Sequence, residues 1–379
     1  MKKIKSLIVA AMAVALAAPM FTACSKDEET VNNIGSEFEF NDKLVAAQKA
    51  QSGKNEAVLL VAFGSTWNNA FQAFDATKAA YEAAFPDADV YVSFSSDICI
   101  NRASAGENKD DNGKLVKRDY YEPRYLLHAI GAAKYGKIYV QSLQVIPGEE
   151  FAAVVASVKK FMNNGYIHTA QFDARLDDKY LEKLSEDEAI FLGMPLLDDP
   201  NVDVPAVAAK LHALYAEEAA QGVVAFMGHG NPDSYDTFKA NKRYEQLEDE
   251  LQKLNENYFV GTVDMPGNYK QNVYARMQDA GKTSGKIYLH ALMSIAGDHA
   301  HNDMAGEGKG YWDPEDEESE DNSWFEYFSH KGYEVIVPTT NNHPLGLLEL
   351  EEVRKVWIGH TQNALFLEDA YHSMYPEAE

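Results

Sequence analysis

One phrase occurs twice in this chain, and the repetition limits what it can fold into more than any other feature. Residues 137–151 read Lys-Ile-Tyr-Val-Gln-Ser-Leu-Gln-Val-Ile-Pro-Gly-Glu-Glu-Phe, and residues 286–300 read Lys-Ile-Tyr-Leu-His-Ala-Leu-Met-Ser-Ile-Ala-Gly-Asp-His-Ala. Laid together, Lys, Ile, Tyr, Leu, Ile and Gly coincide, Glu149 falls on Asp298, and Glu150 falls on His299. A second echo pairs Val61-Ala-Phe-Gly64-Ser65 with Ala225-Phe-Met-Gly228-His229. In each copy an apolar, β-prone run gives way to metal and proton ligands, as when a buried strand delivers polar groups to the carboxyl edge of an open sheet. Two halves of similar plan, facing each other, bring strand-end ligands into one cleft.

The rest of the chain fits that plan. Ala57 to Phe63 is a continuous apolar run, the mark of a central parallel strand buried on both faces. Further strands are predicted at Val90 to Phe94, Ile138 to Leu143, His168 to Phe172, Ala189 to Gly193, Val223 to Met227, Tyr258 to Val263 and Val335 to Pro338. Helical periodicity falls between them, and Asn101 to Asp119 reads as an inserted loop. Strands alternating with helices predict an α/β fold of two doubly wound halves with parallel sheets, residues 55–195 and 196–379.

At 379 residues, 46% of them hydrophobic and 25% charged, the chain is globular in composition. A formal net charge of −25 argues against nucleic acid or an anionic surface as principal partner, and an anionic substrate needs a locally different pocket. Residues 1–23 read as a targeting segment: Lys2, Lys3 and Lys5, then an apolar run from Leu7 to Ala18, then Phe21-Thr-Ala-Cys24. That block resembles the bacterial lipobox, with Phe21 in place of the usual leucine, and the resemblance implies lipidation of Cys24. Residues 24–54 read as an acidic, polar tether with a short helix over Lys43 to Ala50. The expectation is an exported lipoprotein, periplasmic or at the cell surface, held to the membrane only through Cys24. With Cys24 so used, Cys99 stands alone and no disulfide is expected.

His229 sits between two glycines just after an apolar strand, where the backbone turns tightly and leaves the imidazole open. His299 holds the matching place on the later phrase, with Asp298 beside it and His301 two residues on. Together with Glu150 from the other half they make a His-His-carboxylate set, suited to a divalent first-row metal. His128, His168, His212, His360 and His372 fall within ordinary helix or strand patterns and are assigned structural or surface roles. The acidic run from Pro314 to Asp321 lacks regular calcium-ligand spacing. Gly64-Ser65 lacks a nucleophile elbow, and neither a P-loop nor a dinucleotide fingerprint is present. Trp67 and the tyrosines read mainly as core composition, a few being placed to stack on a planar ligand.

Val61-Ala-Phe-Gly-Ser-Thr, residues 140–151, Phe226-Met-Gly-His-Gly230 and residues 292–304 resemble the anaerobic cobalt chelatases, sirohydrochlorin cobaltochelatases of the class II type, over about residues 55 to 370. The resemblance implies two flavodoxin-like, chelatase-like halves around a central cleft, where a metal ion enters a tetrapyrrole. Carried over by position, His229 and His299 are the paired active-site histidines and metal ligands, and Glu150 the metal-binding carboxylate. Asp298, Glu149, Ser65 and Asp264 are supporting or substrate contacts, Asp264 standing where the family usually has a glutamate. Cobalt(II) is the implied substrate metal, with iron(II) a second candidate and no organic cofactor. Rival readings are a non-catalytic surface lipoprotein that binds haem, tetrapyrrole or metal, and a haem-iron enzyme. The sequence leaves homo-oligomerisation open.

Overall fold

The computed structural model describes residues 43–367 except 107, 110–113, 165–166, 169–172, 237, 308–311 and 320. The leader, Cys24, most of the tether and His372 lie outside the described residues.

The chain opens with helix α1 (Lys43–Ser52), then strand β1 (Glu56–Ala62), α2 (Asn68–Ala84), β2 (Ala88–Phe94), α3 (Asp97–Ala105) and α4 (Pro123–Ala132). Next come β3 (Lys137–Ser142), α5 (Glu149–Asn164), α6 (Asp178–Glu186) and β4 (Ile190–Gly193). The second series is α7 (Asp203–Ala219), β5 (Val223–Gly228), α8 (Lys242–Leu254), β6 (Tyr258–Thr262), α9 (Lys270–Asp279) and β7 (Gly285–Ala291). A π-helix (His299–Met304), α10 (Trp324–His330), β8 (Tyr333–Ile336), α11 (Glu351–Gln362) and β9 (Leu365–Phe366) follow.

The first sheet runs β2-β1-β3-β4-β9 and the second β6-β5-β7-β8. All pairings are parallel except that of β9 with β4. In each sheet the first strand lies between the second and the third, so strand order reverses there, and ligands of open α/β sheets bind at such switch points. The repeated phrase is the third strand of each sheet, β3 and β7, and the shorter echo is each first strand, β1 and β5. The repetition in sequence is therefore a repetition in topology.

β1 shows why the apolar run takes a central place. Leu59 lies opposite Tyr91 on one side and Val140 on the other, and Ala57 to Ala62 are all buried. Ala57, Leu59 and Val61 pack with Leu127, Val154 and Leu181 on one face of the sheet. Val58, Leu60 and Ala62 join a larger core that includes Phe74, Leu211, Phe226, Leu247 and Trp357, drawn from both sheets. A third cluster under the far face of the second sheet holds Ala225, Met227, Val273 and Phe328.

Three features differ from the sequence reading. Asn101 to Asp119 is not all loop: α3 reaches Ala105, capped by the Ser96 side chain, and Gly106 closes it with φ +78°. A two-residue antiparallel pair, Asn108–Lys109 with Leu115–Val116, follows. Of the strand predicted from His168 to Phe172, residues 169–172 lie outside the described residues; the flanking Ile167–His168 and Asp173–Ala174 pair antiparallel. β7 stops at Ala291, and the Gly-Asp-His-Ala-His phrase lies beyond it, on a loop and the π-helix. Finally, α11 and β9 return from the second series to complete the first sheet.

Candidate active site

The site residues come from the ends of β1, β3, β5 and β7, the strands flanking both switch points. His229 follows β5 directly. Gly228 is required because an added Cβ would come within 2.4 Å of the Tyr244 ring, and Gly230 because its φ is +79°. The Tyr244 hydroxyl accepts the Gly230 amide at 3.4 Å, and the His229 carbonyl accepts the Asp264 amide at 2.8 Å. His229 Nδ1 lies 2.7 Å from the Gly230 carbonyl, so in the neutral ring Nδ1–H donates there and Nε2 keeps its lone pair. Nε2 is 3.6 Å from an Asp264 oxygen.

His299 opens the π-helix. Its Nδ1 donates to Asp303 Oδ2 at 2.6 Å, one turn on, which fixes the ring and leaves Nε2 for a ligand. Wide π turns recur at functional sites, where they re-aim side chains. The two imidazoles meet nearly at right angles (79°), ring centroids 4.9 Å apart.

Their proton affinities differ. Its packed surroundings, then the neighbouring His299, push His229 below the ordinary imidazole value, against the pull of Asp264. Burial also pushes His299 down, but the hydrogen bond to Asp303 and the charges of Asp303, Asp264 and Asp298 outweigh it and leave that ring raised. The site thus pairs a ring held neutral with one held ready for a proton.

From the first half, Glu149 and Glu150 form the first turn of α5, where helix-end amides favour negative charge. Burial, then the adjacent Glu149, pushes Glu150 up to about 7, and His299 pulls it back, so a group from each half bears on the other. Burial raises Glu149 as well. The turn is seated against the other half, the Asn231 side-chain nitrogen lying 2.7 Å from where a Cβ on Gly148 would stand.

The predicted set is thereby sorted. His229 and His299 meet, Asp264 faces His229, and Asp298 and Glu150 both act on the charge of His299. Glu149 bears on Glu150 rather than on the histidines. Ser65 is 5% exposed and its Oγ accepts the Trp67 amide at 3.2 Å, so it supports a turn. Among the described residues no three His, Cys, Asp or Glu side chains form a group able to hold a metal ion by themselves.

Three contributors went unassigned in the sequence. Asp303 is present in the phrase, but its tie to His299 exists only on a helix, and the phrase reads as a strand end. Tyr244 supports the His229 turn from α8 with no motif to mark it. Trp67, assigned to core composition, donates its indole N–H to Asp298 Oδ1 at 2.5 Å and stacks on His301.

Comparison with known proteins identifies the family. The family model described as cobalt chelatase (CbiK) matches residues 56–366. Sirohydrochlorin cobaltochelatase CbiKC of Nitratidesulfovibrio vulgaris (strain Hildenborough) is 27% identical over 311 residues, covering 82% of this chain and 90% of that protein. The sirohydrochlorin cobaltochelatase of Salmonella typhimurium (strain LT2) is 26% identical over 316 residues, covering 82% and 96%. Among solved structures, SirB from Bacillus subtilis with Fe3+ overlays with a TM-score of 0.47 at 14% identity, covering 83% of this chain and 98% of that one. The fold assignment rests on the strand order and the family match. The family model spans most of the chain, and the chain accordingly belongs to the cobalt chelatase family, whose members are tetrapyrrole metal chelatases.

Proposed function

We propose that this protein inserts cobalt(II) into sirohydrochlorin or a closely related tetrapyrrole. The observation that carries the reading is the imidazole pair, centroids 4.9 Å apart, with the Glu150 carboxyl of the other half bearing on it.

Insertion exchanges two pyrrole protons for one dication, so the site must present lone pairs to the metal and accept protons in turn. The neutral His229 ring offers Nε2 to the ion, and Asp264 beside it offsets the ion's charge. His299, backed by Asp303, accepts a pyrrole proton and keeps it as imidazolium. Glu150, at about 7, takes the second proton. Two imidazoles leave most coordination positions to water or to the ring nitrogens, which suits an ion that is delivered rather than kept.

Purified protein incubated with sirohydrochlorin and with protoporphyrin, each with cobalt(II) and with iron(II), is followed by absorption. Cobalt insertion into sirohydrochlorin is the expected result, abolished in the His229→Ala/His299→Ala double variant with the fold intact by circular dichroism. Retained insertion in that variant would discard the assignment; tetrapyrrole binding without metallation would favour a binding protein.

The reading extends to an exported lipoprotein anchored at Cys24. Wild-type protein from whole cells is expected in the detergent phase, and Cys24→Ser in the aqueous phase. A wild-type protein in the aqueous phase rules the anchor out.

A further inference from the structure

The segment after β1 does more than turn. Trp67 N–H (indole) donates to Asp298 Oδ1 at 2.5 Å, and the Trp67 ring lies parallel to His301 at 3.7 Å between centroids. Two residues on, the Asn69 side-chain amide donates to the Ala296 carbonyl at 3.0 Å. The first half thus grips, at three successive points, the stretch that leads into the helix bearing His299. His301 is 2% exposed and its Nδ1 is 2.8 Å from Glu307, so the stack is anchored at its far side.

Resting on the chelatase reading above, we propose that Trp67 is a positioning residue for metal insertion. It acts through Asp298 and His301, setting the His299 helix against the half that carries Glu150. Asp298 sits immediately before His299, with its carboxylate turned to the indole rather than left to solvent. Such a carboxylate has little freedom to swing onto the incoming ion, and the helix behind it cannot rotate without breaking the stack. Trp67 is itself half-buried, which suggests the competing role that the test must separate: an aromatic platform on which the macrocycle lies.

The test is a double-mutant cycle of Trp67→Phe and Asp298→Ala, with kcat and the KM for sirohydrochlorin measured separately for cobalt(II) insertion. Trp67→Phe keeps a stacking ring and loses the N–H. The expected result is a kcat lowered about tenfold, the scale of one hydrogen bond to a charged group, with KM within about twofold. On the Asp298→Ala background the same change is expected to cost nothing further. The visible absorption of cobalt(II) on the protein alone is expected to differ between wild type and Trp67→Phe, reporting an altered imidazole setting without turnover.

A loss confined to KM, or losses that add in the double variant, would overturn the proposal in favour of direct contact with the macrocycle. Wild-type kcat in Trp67→Phe, beside an inactive His229→Ala/His299→Ala protein, would sink the clamp and leave the chelatase reading standing. An active double-histidine variant would remove the reading on which the clamp rests. If Trp67→Phe fails to fold, Trp67→Tyr, which also keeps a ring and loses the indole N–H, carries the same kcat expectation.

Discussion

Asp303 decides what His299 can do. A carboxylate 2.6 Å from Nδ1 stabilises the imidazolium, so the ring's proton affinity rises, and the same bond fixes the ring and leaves its other nitrogen free of that partner. Asp303→Asn keeps an acceptor but removes the charge. The sign follows: the His299 value falls, and the acid limb of the kcat/KM profile for insertion moves to lower pH. The plateau is expected to fall about tenfold as the ring loses its charged acceptor. A limb that stays in place would assign it to Glu150, which lies at about 7. The sequence exposed His229, His299 and Glu150 because repeat-matched positions carried ligand side chains. It hid Asp303, whose link needs a helical turn, and Trp67, whose partner is 231 residues away in the chain.

Elements were legible where burial dictates pattern. β1 and β5 are apolar along nearly their whole length because both faces are covered, and no helix-like period competes. α3 was obscured because it runs into a charged, glycine-containing stretch, although Ser96 and Gly106 mark its ends. The joint between α11 and the link before α7 was not legible at all. There His360 Nδ1 donates to the Met194 carbonyl and Nε2 to Asp203 Oδ1, both at 3.0 Å, so the ring satisfies both acceptors only as imidazolium. Burial pushes His360 down, but the bond to Asp203 and its charge outweigh this and raise the ring above 6.5. A raised histidine stabilises the fold fully below its unfolded value and loses that contribution as pH climbs through the folded value. Wild type is therefore expected to be more stable than His360→Gln by about 1–3 kcal/mol below the ordinary imidazole range, the margin narrowing as pH rises above it. Asp198, pushed up to about 6 by burial and then by Asp203, faces the same ring and is pulled back by it, so this attraction is part of what His360→Gln removes. A margin that widens with pH would refute the assignment.

At the scale of the molecule, the twofold plan can be read from one repeated phrase, and the core that joins the two sheets cannot. The largest apolar core takes residues from both sheets, and the chain's last described helix and strand cross back to the first. No local pattern announces this, because β9 gains its meaning only from β4, far earlier in the chain. Trp357 on α11 is the buried pin of that return: its side chain is fully covered, and its indole N–H donates to the Gln144 carbonyl at 3.2 Å. Gln144 lies on the segment between β3 and Glu150, so the pin supports the first half's contribution to the site as well as the shared core. Trp357→Ala removes a large fully buried ring and leaves that carbonyl without its donor, at a cost of about 3–5 kcal/mol. Because the core is continuous, the loss is expected to fall on both halves together. Urea unfolding followed by circular dichroism and by fluorescence should shift to lower denaturant as one coincident transition. Two separated transitions, with the β5–β8 sheet melting where it does in wild type, would show that the halves fold independently after all.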